Sequence, residues 1–276
     1  MHWNRAMVVA RPRSHPGIPD VEVSPGGQAV ILLDECLPTT ADCNDSVPED
    51  LWPRRIEVFE RKAVSGPWTG PRILETTEGA QLLPENLRAI ELDGTGKAVA
   101  AWFRGPLRAL QLVVATRDSR GSWTKDVVPL QTPFDAVRGD LAGLGVSARG
   151  DAILVHGYAT KVFPHWRVNA ASLVASVRRH GKSSWARSAA IAPDALMFVV
   201  RVGTGGRVAV TWVDPKSRIL ARTGSLARGV WGRVHIVGRT NGGLGSAYDP
   251  NSGVSPSGRA LVLWTHGSAL WSAELP

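Results

Sequence analysis

The fold is decided by the segment Gly96-Lys-Ala-Val-Ala-Ala-Trp102, in which a turn glycine is followed by an apolar run and a bulky residue six positions on. Four other segments have the same form: Gly27-Gln-Ala-Val-Ile-Leu-Leu33, Gly150-Asp-Ala-Ile-Leu-Val-His156, Gly206-Arg-Val-Ala-Val-Thr-Trp212 and Gly258-Arg-Ala-Leu-Val-Leu-Trp264. The five glycines lie 69, 54, 56 and 52 residues apart along the chain. Self-similarity at such a period is typical of proteins built from repeated structural units.

Each repeat has the same internal order. A short apolar stretch leads into a turn rich in Ser, Pro, Gly and Asp, which supplies the positive-φ positions of a tight hairpin. The continuous apolar run that follows predicts a strand covered on both faces. A third, alternating run and a fourth that begins at a Trp complete the unit, as at 109–114 and Trp123. Four antiparallel strands in roughly 40–55 residues form one blade of a β-propeller.

The last repeat stops after its third strand, and the missing piece has a counterpart at the other end of the chain. Residues 3–10, Trp3-Asn-Arg-Ala-Met-Val-Val-Ala10, have the form of the strand that begins at Trp231. We therefore predict an all-β fold, a five-bladed β-propeller of four-stranded antiparallel blades. The N-terminal strand completes the C-terminal blade, which closes the ring and removes exposed edges. The blades are expected at 21–80, 87–132, 141–193, 197–240 and 250–276 plus 3–10. The alternative is a sandwich of two antiparallel sheets.

Length and composition agree with a single domain covering residues 1–276. No apolar run approaches the ~18 residues of a membrane span, so no membrane span is expected. The N-terminus lacks a charged and then apolar signal segment, which predicts either a cytoplasmic protein or a targeting segment outside this chain. We expect a monomer.

The chain is basic, with a formal net charge of +8. A basic surface attracts nucleic acids or acidic glycans. Here the arginines are spread over every blade, and no DNA- or RNA-binding motif with interleaved aromatic residues is present. Solvated surface charge is therefore the favoured interpretation, and we expect no nucleic-acid partner.

The two cysteines, Cys36 and Cys43, lie in one predicted loop. A disulfide that holds this insertion is the favoured interpretation, and it would place the protein in an oxidising, extracellular compartment. Two unpaired structural thiols are the alternative, whereas the spacing matches no zinc motif. The surrounding segment from Asp34 to Asp50 is acidic, which leaves calcium as a candidate ligand. Its spacing matches no regular calcium loop, so we expect a solvated acidic loop and no cofactor.

In an up-and-down blade, the 2→3 connections and the connections between blades share one face of the disc. The two longest insertions, 34–55 and 156–170, both fall on this loop-rich face, where binding residues are expected. The second insertion offers aromatic faces beside polar groups, a combination that suits sugar rings. The alternative is that its aromatic residues only pin the loop to its blade. The candidate ligand-binding residues on this face are Tyr158, His165, Trp166, Arg167, Arg104, Asp214, His266 and Tyr248.

The segment Thr116-Arg-Asp-Ser-Arg-Gly-Ser-Trp123 resembles the Asp-box of sialidases and related propellers, S/T-x-D-x-G-x-T-W. Thr116, Asp118, Ser122 and Trp123 match the motif, and Arg120 stands where a Gly is expected. The resemblance implies a sialidase-like or lectin-like propeller in which the Asp holds the hairpin and the Trp packs between blades. Sialidase catalysis is not implied, because the chain has only two tyrosines and lacks the early arginine motif of that family.

These observations favour a non-catalytic propeller that binds a carbohydrate or a protein through its loop-rich face. The first alternative is a glycoside hydrolase of the sialidase-like or arabinan-cleaving type, which needs paired carboxylates at the central channel. Glu22 and Glu91 are the carboxylates on the predicted innermost strands, and the catalytic residues stay unassigned. The second alternative is a protein-interaction scaffold without a small ligand.

Overall fold

The computed structural model describes residue 9 and residues 19–24, 26–36, 54–77, 89–93, 95–104, 111–118, 120–128, 142–159, 171–240, 251–255, 257–266 and 269–275. Nineteen strands in five antiparallel sheets lie within these residues. No helix long and apolar enough to cross a membrane occurs in this described part of the chain.

The five sheets follow one another along the chain. Sheet 1 contains β1 (Asp20–Val23), β2 (Ala29–Cys36), β3 (Arg54–Arg61) and β4 (Trp68–Thr77). Sheet 2 contains β5 (Ala89–Leu92), β6 (Ala98–Arg104), β7 (Gln111–Arg117) and β8 (Trp123–Val128). Sheet 3 contains β9 (Ala142–Val146), β10 (Ala152–Ala159), β11 (Ala171–Arg178) and β12 (Ala186–Ala195). Sheet 4 contains β13 (Met197–Val202), β14 (Arg207–Val213), β15 (Arg218–Ser225) and β16 (Val230–Arg239). Sheet 5 contains β17 (Asn251–Val254), β18 (Ala260–His266) and β19 (Ala269–Leu275).

The predicted four-stranded antiparallel unit is confirmed in sheets 1 to 4, where strands pair in chain order. Sheet 5 has three strands among the described residues. The strand predicted at 3–10 to complete it lies outside them, apart from Val9. The closing of the ring by this strand therefore stays a prediction.

The turn between the first and second strands has the same geometry in all five sheets. The residues that open these turns are Ser24, Asp93, Ser147, Gly203 and Ser255, and each donates its backbone N–H to the carbonyl four residues on, at 2.8–2.9 Å. The turn glycine then has a positive φ, between 77° and 87° in the five repeats, which an L side chain rarely adopts. This requirement explains why the repeated segment begins with Gly.

The apolar second strands are buried because each sheet packs between its neighbours. One core cluster joins sheets 1 and 2, another sheets 2 and 3, a third sheets 3 and 4, and a fourth sheets 4 and 5. Leu32, Trp102, Leu154, Trp212 and Val262 are each at most 2% exposed. Burial on both faces accounts for the absence of alternation in these strands.

The first strands of successive sheets lie side by side, β1 against β5, β5 against β9, β9 against β13, and β13 against β17. Each of these first strands is at one edge of its sheet, and together they form a row that we call the axis. Val21 and Val23 on β1 are 48% and 56% exposed, whereas Ile90, at the position in β5 that corresponds to Val21, is buried against sheet 1. Val21 and Val23 therefore mark the side of sheet 1 on which a closing sheet would pack.

Candidate functional site

The residues predicted to bind a ligand fall into two groups. Arg104, Tyr158, Asp214 and His266 lie at or just after the ends of β6, β10, β14 and β18, which is the same end of four successive sheets. The backbones of Tyr158 and His266 pair opposite Ser172 and Ala269, and their side chains are not among those described. His165, Trp166, Arg167 and Tyr248 lie outside the described residues.

Arg104 and Asp214 have partners within the protein. The Arg104 guanidinium donates to Glu75 on β4 at 2.8 Å and to the side-chain oxygen of Gln111 at 3.0 Å, which ties sheet 2 to sheet 1. Asp214 is 5% exposed and holds the β14–β15 turn. Its Oδ1 accepts the N–H groups of Lys216 and Arg218, and its Oδ2 accepts from the Arg218 guanidinium at 2.6–2.7 Å. Both side chains therefore stabilise the fold, whether or not they also contact a ligand.

The acidic segment begins later than the sequence predicts. Asp34 and Glu35 belong to β2 and are each 2% exposed, because β2 extends to Cys36. Glu35 is paired with Arg55 on β3 at 2.5 Å, so its charge is compensated inside the sheet. The remaining acidic residues to Asp50, the Cys36 side chain and Cys43 lie outside what is described, and the disulfide and calcium hypotheses stay predictions.

The turn that resembles an Asp-box joins β7 to β8. Asp118 Oδ1 accepts the N–H groups of Arg120 at 2.9 Å and Ser122 at 2.8 Å, and these bonds, Ser122 first, lower the pKa of Asp118. Trp123 donates its indole N–H to Glu60 on β3 at 2.8 Å and packs against the cluster between sheets 1 and 2. The Thr116 hydroxyl accepts from Arg178 of sheet 3. Assignment of these residues to an Asp-box stays a prediction.

A charged cluster lies on the axis, where sequence reasoning nominated no site. Glu22, Glu91, Gly145, Arg201 and Gly253 occupy the same place in the five repeats, two residues before the residue that opens the turn. The charge of Arg201 on β13 lowers the pKa of both Glu22 on β1 and Glu91 on β5, and the charge of Glu22 raises that of Glu91. Because β13 belongs to the fourth sheet, this electrostatic interaction links sheets that are not neighbours along the chain. We call these three residues the axial cluster.

Burial, and after it the negative charge of Glu22, raise the pKa of Glu91 to about 8. Arg201 opposes this shift but does not cancel it. Burial, followed by the charge of Asp20, also raises the pKa of Glu22. Asp20 accepts the backbone N–H of Ile90 at 2.8 Å and so fixes β1 against β5 beside the cluster. At neutral pH the Glu91 carboxyl therefore carries a proton and is a hydrogen-bond donor.

The fold does not require charge at this place in the repeat. β9 and β17 have glycines there, and both still pair with their second strands in the common register. A raised pKa caused by burial together with a nearby charge is a mark of functional sites, although structural networks also produce it. The signal was present in the sequence: aligning the five repeats on their turn glycines puts Glu22, Glu91 and Arg201 in one column.

No protein-family model matches the chain, and no curated protein matches it in sequence. Its similarity is to solved structures. The Hadza microbial sialidase Hz136 superimposes with a TM-score of 0.56 at 13% identity, over 94% of this chain and 56% of the sialidase. The fungal lectin from Aleuria aurantia, described as a six-bladed β-propeller with a novel fucose recognition mode, gives 0.52 at 13% identity, over 97% and 77%.

The GH93 α-L-arabinofuranosidase of Fusarium graminearum gives a TM-score of 0.50 at 12% identity, over 94% of this chain and 76% of that enzyme. The fold is of the β-propeller type. The chain spans a little over half the length of two similar structures, the sialidase Hz136 and the polysaccharide lyase Uly1. At these identities the similarity concerns the fold.

Proposed function

We propose that this chain is a carbohydrate-binding propeller whose ligand approaches the axial cluster from the loop-rich face. The observation that carries this proposal is the charged axial cluster itself, at a place in the repeat where two other strands have glycine. Among structures of similar fold, a lectin and two glycoside-processing enzymes, the sialidase and the arabinofuranosidase, act on or recognise carbohydrates.

The chemistry of the cluster suits sugar hydroxyls, each of which both donates and accepts hydrogen bonds. Arg201 donates only, a protonated Glu91 both donates and accepts, and the Glu22 carboxyl offers an acceptor oxygen in either protonation state. Hydrogen bonds to charged groups are about twice as strong as those between neutral groups. Arg201 is exposed, so a ligand in the channel has access to its guanidinium.

The loop at 156–170 is proposed to supply the apolar contact. Trp166 offers a ring face for the C–H side of a sugar, and His165 and Arg167 flank it with polar groups. In the same proposal Tyr158, His266 and Tyr248 lie around the mouth of the channel.

A glycan array tests this function with three forms of the protein: the unaltered chain, Trp166→Ala, and the double variant Glu22→Gln/Glu91→Gln. We expect the unaltered chain to bind a defined set of neutral glycans, with reduced signal on these glycans for Trp166→Ala and none for the double variant. Equal signals from all three forms would reject both sites. The absence of any signal for the unaltered chain would favour the protein-interaction scaffold.

The second candidate function is glycoside hydrolysis, favoured by the paired carboxylates of the axial cluster. A protonated Glu91 has the state of a general acid at neutral pH, and Glu22 is the second carboxyl that this function requires as base or nucleophile. Incubation with a panel of aryl glycosides separates the two functions. If the unaltered chain releases aryl alcohol and Glu91→Gln does not, hydrolysis is established. If the chain binds the glycosides without releasing aryl alcohol, recognition alone is supported.

We further propose that five blades close into a ring when residues 3–10 pair beside β19. The support is the repeat pattern, with three described strands in sheet 5 and an exposed edge strand in which Leu270 and Trp271 are 71% and 51% exposed. Deletion of residues 1–10 is then expected to lower the melting temperature by several degrees, because sheet 5 loses its outer strand. An unchanged melting temperature would contradict the ring.

A further inference from the structure

A cleft of about 270 Å³ opens between sheets 2 and 3, at the end of the sheets opposite the loop-rich face. Its floor is apolar, formed by Val99 and Val146. Its polar walls include Asp93, Lys97, Thr116, Gly150, Arg178 and Lys182. We call it the 2–3 cleft. The volume is just below the range of about 300–1,000 Å³ that holds drug-sized ligands, and it suits one sugar ring with its substituents.

Asp93 presents an unsatisfied carboxylate oxygen at this cleft. The residue is 2% exposed. Its Oδ1 accepts from the Thr95 N–H at 2.8 Å, the Thr95 hydroxyl at 2.7 Å and the Lys97 N–H at 2.9 Å. Its Oδ2 is buried and accepts no hydrogen bond from any residue that the structure describes. Leaving such an oxygen without a donor is unfavourable, and more so when the group is charged.

The corresponding oxygen of another turn aspartate is satisfied. Asp214 holds its turn with the same two bonds from Oδ1, to the N–H groups two and four residues on. Its Oδ2 accepts from Arg218, the residue four positions later. The residue four positions after Asp93 is Lys97, whose side chain lines the cleft; within the described part of the chain it forms no ion pair with Asp93. The turn therefore does not need the second oxygen of Asp93.

Gly150 keeps the cleft open beside Asp93. A Cβ added to this glycine would lie 3.1 Å from His180 Nδ1 and 3.2 Å from Asp93 Oδ2. The His180 turn is fixed, because its backbone N–H donates to Asp151 at 2.8 Å. This bond holds the His180 backbone, and with it one side of the gap, beside Gly150.

The rest of the polar wall is cationic. The Arg178 guanidinium is positioned by the Thr116 hydroxyl on one side and by the Trp185 ring, 5.3 Å from its centroid, on the other. Lys97, Arg179 and Lys182 add three further positive charges. Four cations around one carboxylate attract an anion and repel an ammonium group, so the donor that reaches Asp93 Oδ2 is a neutral hydroxyl.

We propose that the 2–3 cleft binds one acidic sugar residue, with its carboxylate or sulfate on Arg178, Lys97 and Lys182 and a ring hydroxyl donating to Asp93 Oδ2. The cleft is distinct from the axial cluster. The choice of a sugar as the carrier of the anion and the hydroxyl rests on the proposed function, whereas the pairing of an anion with a hydroxyl donor rests on the cleft alone.

Isothermal titration calorimetry of the whole chain tests this site with four probes: a uronate-containing disaccharide, a sulfated disaccharide, a neutral disaccharide and inorganic sulfate. We expect one or both acidic disaccharides to bind at least tenfold more tightly than the neutral disaccharide and inorganic sulfate. The stronger of the two acidic probes identifies the anion. Equal affinity for acidic and neutral disaccharides, sulfate binding as tight as that of the sugars, or no binding would overturn the proposal.

Three variants locate the binding. Asp93→Asn keeps Oδ1 and the turn but removes the second carboxylate oxygen, and Lys182→Glu reverses an exposed charge at the cleft. Each variant is expected to lower the affinity for the acidic disaccharide at least tenfold. The control is Lys216→Glu, at an exposed lysine on the turn of sheet 4, which should change this affinity less than twofold. Equal effects of Lys182→Glu and Lys216→Glu would overturn the site.

The double variant Glu22→Gln/Glu91→Gln is expected to keep this affinity. If the double variant no longer binds the neutral glycans of the array but still binds the acidic disaccharide, both sites are supported. Cleft binding that disappears in the double variant would overturn the independence of the 2–3 cleft, and failure of the cleft with intact array binding would overturn the cleft alone.

Discussion

The axis of this propeller has a charged part and a glycine part at the same level. β1, β5 and β13 contribute Glu22, Glu91 and Arg201, whereas β9 and β17 contribute Gly145 and Gly253. The two glycines also differ from each other. A Cβ on Gly145 would lie 2.4 Å from Val202 Cγ2, whereas no atom of the described residues lies within 4 Å of a Cβ on Gly253.

This difference separates what the fold requires from what it merely accommodates. Gly145 is required by packing, because Val202 of the next sheet fills its side-chain space. Gly253 shows that an empty position is compatible with the repeat. Glu22, Glu91 and Arg201 are therefore not needed to pair the strands, and the burial of two carboxylates costs folding free energy. We propose that these three charged residues are present because they bind a ligand.

The largest effect on stability is expected from pH. The pKa of Glu91 is about 8 in the folded chain and near 4.5 in the unfolded chain, so the folded state binds more protons between these values. Stability from this residue is complete below about pH 4.5 and is lost as the pH rises towards 8. The unaltered chain should lose a few kcal/mol more than Glu91→Gln between pH 5 and pH 9 in urea unfolding. Parallel pH profiles would contradict the burial of Glu91.

A smaller effect is expected in the glycine part. Gly145→Ala should lower the free energy of unfolding by about 1–3 kcal/mol, because the added methyl overpacks against Val202. Its matched control is Gly253→Ala, expected to stay within about 0.5 kcal/mol of the unaltered chain. Both values come from urea unfolding at one pH. If both substitutions lower the free energy of unfolding equally, the two glycines have equal space for a side chain, and our account of their different packing is wrong.

The repeated turn could be predicted from the sequence because its cause is local. Each turn glycine has a positive φ, and the SPGG, DGTG, SARG, GTGG and SPSG segments carry this requirement on their own residues. The order of the four strands followed from the same repeat. The ends of the strands were less clear, since Asp34 and Glu35 belong to a buried strand only because Arg55 compensates the charge of Glu35 across the sheet.

The candidate sites depend on long-range contacts, which one sequence does not reveal. Arg104 is a plausible ligand contact in the sequence, but its partner Glu75 is 29 residues away on another sheet. Likewise, the difference between Asp93 and Asp214 is whether the residue four positions on reaches back to Oδ2, as Arg218 does. The axial cluster is the exception, because a column alignment of the repeats finds it.

The most direct test of the axial cluster is the affinity of Arg201→Met for the strongest glycan from the array, measured by titration calorimetry. Arg201 is exposed and donates only to the Val200 carbonyl, at 3.0 Å, among the described residues, so its loss should change the melting temperature only slightly. Hydrogen bonds to charged groups contribute about 1.5–3 kcal/mol, which predicts a loss of affinity of about 10- to 100-fold. The control is Arg259→Met, an exposed arginine on the turn of sheet 5, which should bind as the unaltered chain does. Equal affinities for Arg201→Met and Arg259→Met would contradict carbohydrate binding at the axis.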